Sequence, residues 1–405
     1  MLIRHSVPPS NKNRERRPAG QLAVISFSVF VNYLTAGLVL PVIPLFVQQQ
    51  LGLNNVMVGL AVGGQFLATL ATRGLAGRIA DRQGGRRAVM QGIFSFILVA
   101  IVPMPVRGQF VLLLAGRLLL GFGESLLLTG NLAWGMGLMG PKHSARVISW
   151  NGMALYGALA LGAPLGLWLY AKGGFITLSL VCLLLPPLTL LFNKRVPAVA
   201  PQGGERLPFW QVTGEVTRPG IVLALQGTGF AVVGTFTSLY FSAKDWGNAG
   251  FALTAFGVAF VMIRLLFGSL PDKAGGYRVT LISLLTETAG LAILGFASSG
   301  WMALIGAGLT GCGCSLVFPA LGSVVVKSVS PQMRATALGV FSAFQDLAYG
   351  VSGPLTGLLI SRHGYSSAYL ACALCTALGA ILTSSLFHKA LTNNRTPQPG
   401  SDYEG

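Results

Sequence analysis

Charge is scarce in this sequence. Asp, Glu, Lys and Arg make up 10% of its 405 residues, where soluble domains carry about 25%. A chain that is 53% hydrophobic has too little polar surface to face water all round, so its solvent is largely lipid. Histidine is scarcer still. His5, His143, His363 and His388 are all expected in loops, which excludes an imidazole relay at membrane depth. Cysteine is sparse as well. Cys182, Cys312, Cys314, Cys372 and Cys375 lie in apolar runs. Cys372 and Cys375 share a helix face, but neither His nor carboxylate accompanies them, so a metal site is not expected and packing is the reading. No Walker-type Gly-Lys-Ser/Thr stretch occurs, which excludes direct use of ATP in such a loop. No cofactor is expected.

Long apolar runs are abundant. About twelve are discernible, at 21–47, 57–80, 88–106, 109–139, 145–171, 174–193, 219–243, 250–270, 277–298, 300–326, 335–361 and 365–387. Each approaches the roughly 20 residues that span a bilayer as a helix. Lipid cannot satisfy a free backbone amide, so these runs must be helices. Barrel strands would be shorter and would alternate.

The net charge of +17 raises the question of nucleic acid, but its distribution answers differently. Arg73, Arg117 and Arg264 sit inside apolar runs. With twelve spans and both ends on one side, only Arg107, Lys172, Lys244 and Arg362 fall in loops on the far side, and the other 21 of 28 cations fall on the near side. Cytoplasmic loops carry the Lys and Arg excess. Both termini are therefore expected in the cytoplasm, the partner is a lipid bilayer, and no nucleic acid is expected. Residues 1–20 form a basic tail with Pro8, Pro9 and Pro18, the first bundle spans 21–193, and a second spans 219–387. The polar linker 194–218 joins them and 388–405 is a cytoplasmic tail.

One stretch occurs twice. Gly77-Arg78-Ile79-Ala80-Asp81-Arg82-Gln83-Gly84-Gly85-Arg86-Arg87 overlies Gly268 to Arg278 when the numbering is shifted by 191. Gly77 meets Gly268, Asp81 meets Asp272, Gly84 meets Gly275, and Arg87 meets Arg278. The preceding run agrees, with Gly59 over Gly250 and Arg73 over Arg264. A shift of 190 then pairs Gly121 and Gly123 with Gly311 and Gly313, Ser125 with Ser315, and Pro164 with Pro354. Two halves of one chain carry the same punctuation in the same order. The glycines suit a tight turn between helices. Asp81, among Arg78, Arg82, Arg86 and Arg87, is a candidate ion-pair hub and helix cap; the bland alternative is a solvated charged loop. Arg73 and Arg264 are candidates for a shared gate.

Polar residues inside the runs are the other signal. In the fourth run Arg117, Gly121, Glu124 and Asn131 share one face, with Arg117 and Glu124 about 10 Å apart at 1.5 Å per residue. A charge at that depth costs roughly 2.5–3.5 kcal/mol or more, so two on one face imply a wet cavity or buried partners; a purely structural pair is the alternative. Ala307 and Cys314 stand opposite them in the second half. Glu287 and Asp346 are the other carboxylates at depth, candidates to take and lose protons, against plain pairing with a nearby cation. Asn32, Gln65, Asn131, Asn151, Gln226 and Gln345 are candidates for a cavity wall; for Asn32 the alternative is a helix merely kinked at Pro41 and Pro44. Gly162, Pro164 and Gly166, with Gly353 and Pro354, mark expected kinks and close packing.

These residues carry a resemblance. Gly77–Arg87 and its echo Gly268–Arg278 resemble the loop signatures of the major facilitator superfamily. Arg117-Leu118-Leu119-Leu120-Gly121-Phe122-Gly123 resembles that family's fourth-helix motif, whose Arg is linked to proton coupling. Gly157 with Gly162-Ala163-Pro164-Leu165-Gly166 is similar to the fifth-helix motif of its exporters, with Ala163 where Gly is usual; Gly85 likewise replaces a usual basic residue. Trp150-Asn151-Gly152, Phe344-Gln345-Asp346 and Cys314 to Ala320 resemble a group of enterobacterial inner-membrane facilitators described as efflux-type. The resemblance implies an all-α membrane protein of twelve helices in two pseudo-symmetric six-helix bundles. It implies a monomer in the bacterial inner membrane that works by efflux; the buried residues point to a small polar or amphipathic solute exchanged for protons, with Glu124, Asp346, Arg117 and Glu287 in the coupling. Gly77, Asp81, Arg82, Gly84, Arg86, Gly268, Asp272, Gly275, Arg73 and Arg264 would form the cytoplasmic gate. Import by symport is the open alternative. A polytopic enzyme would need a clustered acid–base or metal set, and a sensor would need a longer terminal domain; neither is present in the sequence.

Overall fold

The structure is a computed structural model that describes residues 11–101, 110–140, 143–200, 213–330 and 333–393. The start of the basic tail, Arg107, the middle of the linker and the end of the C-terminal tail lie outside the described residues. Twelve long helices account for nearly all of the rest. They are α1 (Asn11–Val39), α2 (Asn55–Gln83), α3 (Gly85–Ile101) and α4 (Phe110–Met139). Next come α5 (144–172) and α6 (175–194), which form one unbroken segment except at Gly173 and Gly174. The remainder are α7 (Thr213–Ala243), α8 (Gly250–Phe267), α9 (Gly276–Gly295), α10 (Gly300–Ser328), α11 (Arg334–His363) and α12 (Tyr365–Asn393).

Lipid as solvent explains this uniformity, because a helix closes its backbone hydrogen bonds on itself. Nine helical segments among the described residues are long and apolar enough to cross a membrane, and one of these, Arg146–Lys194, contains both α5 and α6. α3 is shorter, at 17 residues. α11 is long but more polar, carrying Gln345, Asp346 and Ser352; it ends with His363, and α12 contains His388, so these two histidines lie in helix ends and not in loops. Large apolar side chains such as Phe94, Trp168, Leu184 and Trp301 are exposed on these helices, where only lipid would make their exposure favourable.

α1 begins at Asn11, within the segment read as a basic tail, and ends at Val39 ahead of Pro41. A single turn, Val42–Leu45, and a π-helical stretch, Phe46–Gln50, follow. Pro41 lacks the amide that would continue α1.

The chain forms two compact units, Met1–Val42 with Ala68–Glu205, and Ile43–Leu67 with Arg206–Gly405. In the first, α1 lies along α5 and α6, and α3 along α4. The α3–α4 crossing is set by glycines. A Cβ placed on Gly92 would meet the Gly123 carbonyl oxygen at 2.8 Å and Leu127 N at 2.8 Å, and one on Gly85 would meet the Gly130 oxygen at 2.6 Å. The second unit repeats the crossing between α9 and α10. There a Cβ on Gly313 would meet the Ser283 oxygen at 2.5 Å, and one on Gly276 the Ala320 oxygen at 2.5 Å. Ser283 and Gly276 are 191 residues beyond Gly92 and Gly85; Gly313 and Ala320 are 190 beyond Gly123 and Gly130. A third contact recurs in the same way: Gly37 lies against Ala158 in the first unit and Gly227 against Ala348 in the second. The duplication visible in the sequence is thus a duplication of helix crossings, each found inside its own unit.

Gly92→Val is expected to lower the melting temperature of the detergent-purified protein, because overpacking costs about 1–3 kcal/mol. Gly74→Ala adds a methyl that meets nothing within 4 Å and is expected to leave the melt unchanged. Equal melts for the two variants would contradict the crossing.

Candidate functional site

α4 carries the main polar stripe. Arg117, Glu124 and Asn131 recur every seventh residue, two turns apart, and so share a face. Arg117 is 1% exposed. It lines a cavity of about 40 Å³ with Thr35, Phe96, Leu120, Ser179 and Cys182, room for one or two waters but not for a solute. Glu124 is buried, and the Tyr33 hydroxyl donates to its Oε1. Arg117 and Glu124 are thus both buried on one face of α4, two turns apart. One heptad further, Asn131 Nδ2 donates to Asn151 Oδ1 of α5 at 2.7 Å.

Asn32 has a different setting. Its Nδ2 donates to Ser28 O at 2.8 Å and to Thr189 Oγ1 of α6 at 3.1 Å, and Asn193 Nδ2 donates to Ser28 Oγ at 2.9 Å. Polar side chains thus tie α1 to α6.

In the second unit Gln226 of α7 joins Glu287 of α9 and Cys314 of α10. Gln226 Nε2 lies 3.2 Å from Glu287 Oε1 and 3.0 Å from Cys314 Sγ. Glu287 is 0% exposed, and its Oε2 has no hydrogen-bond partner among the described residues. On α11, Asp346 is buried, and Gln345 Nε2 donates to Tyr349 Oη at 2.9 Å. Tyr349 packs edge-on to Phe66 with centroids 5.0 Å apart and lies 5.1 Å from Phe230. Gln65, next to Phe66, is buried too.

The repeated signature is mostly helix and not the loop its glycines suggest. Gly77, Asp81 and Arg82 lie in the last turns of α2, and Arg86 opens α3. Only Gly84 departs, with φ of 91°, a region that L side chains rarely adopt and that favours glycine. Its counterpart Gly275 has φ of 87°. The second copy is looser, since α8 ends at Phe267. Gly268 and Ser269 then turn into the short helix Leu270–Ala274, which holds Asp272. Gly275 stands at the N-cap of α9. Asp81 is half-buried and Asp272 exposed.

Arg73 and Arg264 also diverge. Arg73 is half-exposed, whereas Arg264 is buried, donates to the Ser315 carbonyl and lies 5.0 Å over the Phe260 ring. Ser315 Oγ donates in turn to Phe260 O at 2.8 Å. Arg264 therefore locks α8 to α10.

Around Pro164 the backbone keeps helical angles, and the departure from helix comes at Gly173 and Gly174. Gly162 and Gly166 lie against Gly37 and Leu38 of α1. Gly353, next to Pro354, lies against Gly59. Tyr33, Thr189, Phe66 and Phe230 were not singled out in the sequence. Tyr33 had a signal: it sits between Asn32 and Thr35 in a run where polar side chains are costly.

The sequence and fold have clear relatives. The family model for the Major Facilitator Superfamily matches residues 25–247 and 220–403. An uncharacterized MFS-type transporter of Salmonella typhimurium is 50% identical over 372 residues, covering 90% of this chain and 96% of that protein. Another, of Burkholderia pseudomallei, is 41% identical over 376 residues, with 91% and 92% covered. Among solved structures, the nucleoside transporter NupG matches with a TM-score of 0.72 at 14% identity, covering 91% of this chain and 99% of that one. The human organic anion transporter MFSD10 matches with 0.70 at 17%, covering 93% and 100%. With its two-unit helical fold, its duplicated signature and these relatives, the chain belongs to the Major Facilitator Superfamily and is a multi-pass transmembrane transporter.

Proposed function

We propose that this protein exports a small polar or amphipathic solute in exchange for protons, by alternating access. It would act as a monomer in a bacterial inner membrane, with both termini cytoplasmic and bundles at 21–193 and 219–387. The observation that carries this reading is a buried carboxyl in each unit with a side-chain donor already on it. Glu124 accepts from Tyr33 and Glu287 from Gln226, and Asp346 adds a third buried acid. Carboxyls kept at membrane depth mark proton or ion pathways. Arg117 would tune Glu124, and the signatures around Asp81 and Asp272, with Arg73 and Arg264, would close the cytoplasmic side. The preference for export rests on the Gly162–Gly166 motif.

The two units place their acids on different helices. Glu124 is matched by Cys314, while Glu287 is matched by Phe96, which lines the Arg117 cavity. One carboxyl per unit is thus retained near the third-to-fourth helix contact.

Transport is to be measured in inverted vesicles under an imposed proton gradient, with a solute taken from a resistance screen of deletion against overproducing cells. Uptake is expected to follow the gradient and to lose its gradient-dependent part in Glu124→Gln with Asp346→Asn. Uptake that ignores the gradient, or survives the double change, would refute coupling; lower solute accumulation in deletion cells would mark import. In the same assay Glu287→Phe is expected to abolish gradient dependence and Glu287→Phe with Cys314→Glu to restore part of it. A double variant no better than the single one would show that the acid's helix of origin matters. Reporter fusions at both ends are expected to be active on the cytoplasmic side only.

A further inference from the structure

The Asn131–Asn151 pair is not satisfied by its own hydrogen bond. Asn131 is 0% and Asn151 5% exposed. After the 2.7 Å bond between them, Asn131 Oδ1 and Asn151 Nδ2 have no partner among the described residues. Exchanging O and N in both amides changes nothing: one acceptor and one donor still remain. Leaving a buried polar atom without a partner costs about 1–3 kcal/mol. The fold does not require that cost. The same two positions in the second unit, 190 residues on, are Leu321 and Phe341, both fully buried in one apolar cluster. The α4–α5 junction could be built as greasily as its copy, and it is not.

We propose that Asn131 and Asn151 bind the edge of a carboxamide or lactam, a group that offers one N–H and one C=O side by side. Asn131 would accept the N–H and Asn151 would donate to the carbonyl, or the reverse with both amides turned. A carboxylate offers only acceptors and an ammonium only donors, so neither satisfies both atoms. The site lies on the α4 face that bears Glu124, one heptad away, so solute and proton would be handled on a single helix. This deepens the export reading by naming the solute's chemistry and rests on that reading for its role in transport.

The test uses purified full-length protein in detergent and measures thermal stabilisation by uracil and nicotinamide, against 1,3-dimethyluracil and N,N-dimethylnicotinamide as probes that lack the N–H. Wild type is expected to respond to the first pair at concentrations about tenfold lower than to the second, as the loss of one buried hydrogen bond requires. Asn131→Leu with Asn151→Phe copies the second unit. It is expected to melt no lower than wild type and to lose the response. The proposal is overturned if neither parent amide stabilises wild type, if the methylated probes act equally well, or if the double variant still responds. It is also overturned if the double variant melts well below wild type, since the amides would then be structural. No gradient enters this assay, so its failure leaves proton coupling untouched.

Discussion

A polar atom buried in this protein is costly unless another group meets it. Peptide groups meet the demand by forming helices. Side chains meet it within their own helix, as Asn32 does at Ser28 O, or where helices come close enough for short groups to touch, and glycine permits that approach. Gly92 against Gly123 brings α3 onto α4, and Gly313 against Ser283 brings α10 onto α9. Beside these crossings sit the two hydrogen-bonded acids, Glu124 with Tyr33 and Glu287 with Gln226. Close packing and buried chemistry are therefore one design element and not two.

The scaffold is repeated but the chemistry is not. Arg117, Glu124 and Asn131 on α4 face Ala307, Cys314 and Leu321 on α10 in the shifted numbering. Arg264 is buried against Ser315 and Phe260, while Arg73 is half-exposed. A duplicated frame supplies two copies of each crossing, and each copy can then lose or gain charge independently. The cost of a charge at depth, several kcal/mol, makes each surviving one informative.

The fold was legible because its signals are long and redundant. Runs of about 20 apolar residues and a shared 190–191 register cannot be imitated by local accident. The site was legible in part. Arg117, Glu124 and Asp346 announce themselves as charges in apolar surroundings. Partners do not announce themselves. Tyr33 reads as one more aromatic, and Thr189 as one more small residue, until α1 and α6 are side by side. Secondary structure at the signature was misjudged for a related reason: glycine permits a turn but does not compel one, and of Gly77, Gly84 and Gly85 only Gly84 leaves the helix.

Gly84 joins α2 to α3 alone, between Gln83 and Gly85. A joint of one residue has no slack. Any tilt imposed on α2 must pass into α3 as rotation about two backbone torsions, with no loop to absorb it. It also leaves a protease no extended segment to grip. The pair behaves as a stiff elbow, and a single β-carbon at its apex would be enough to seize it.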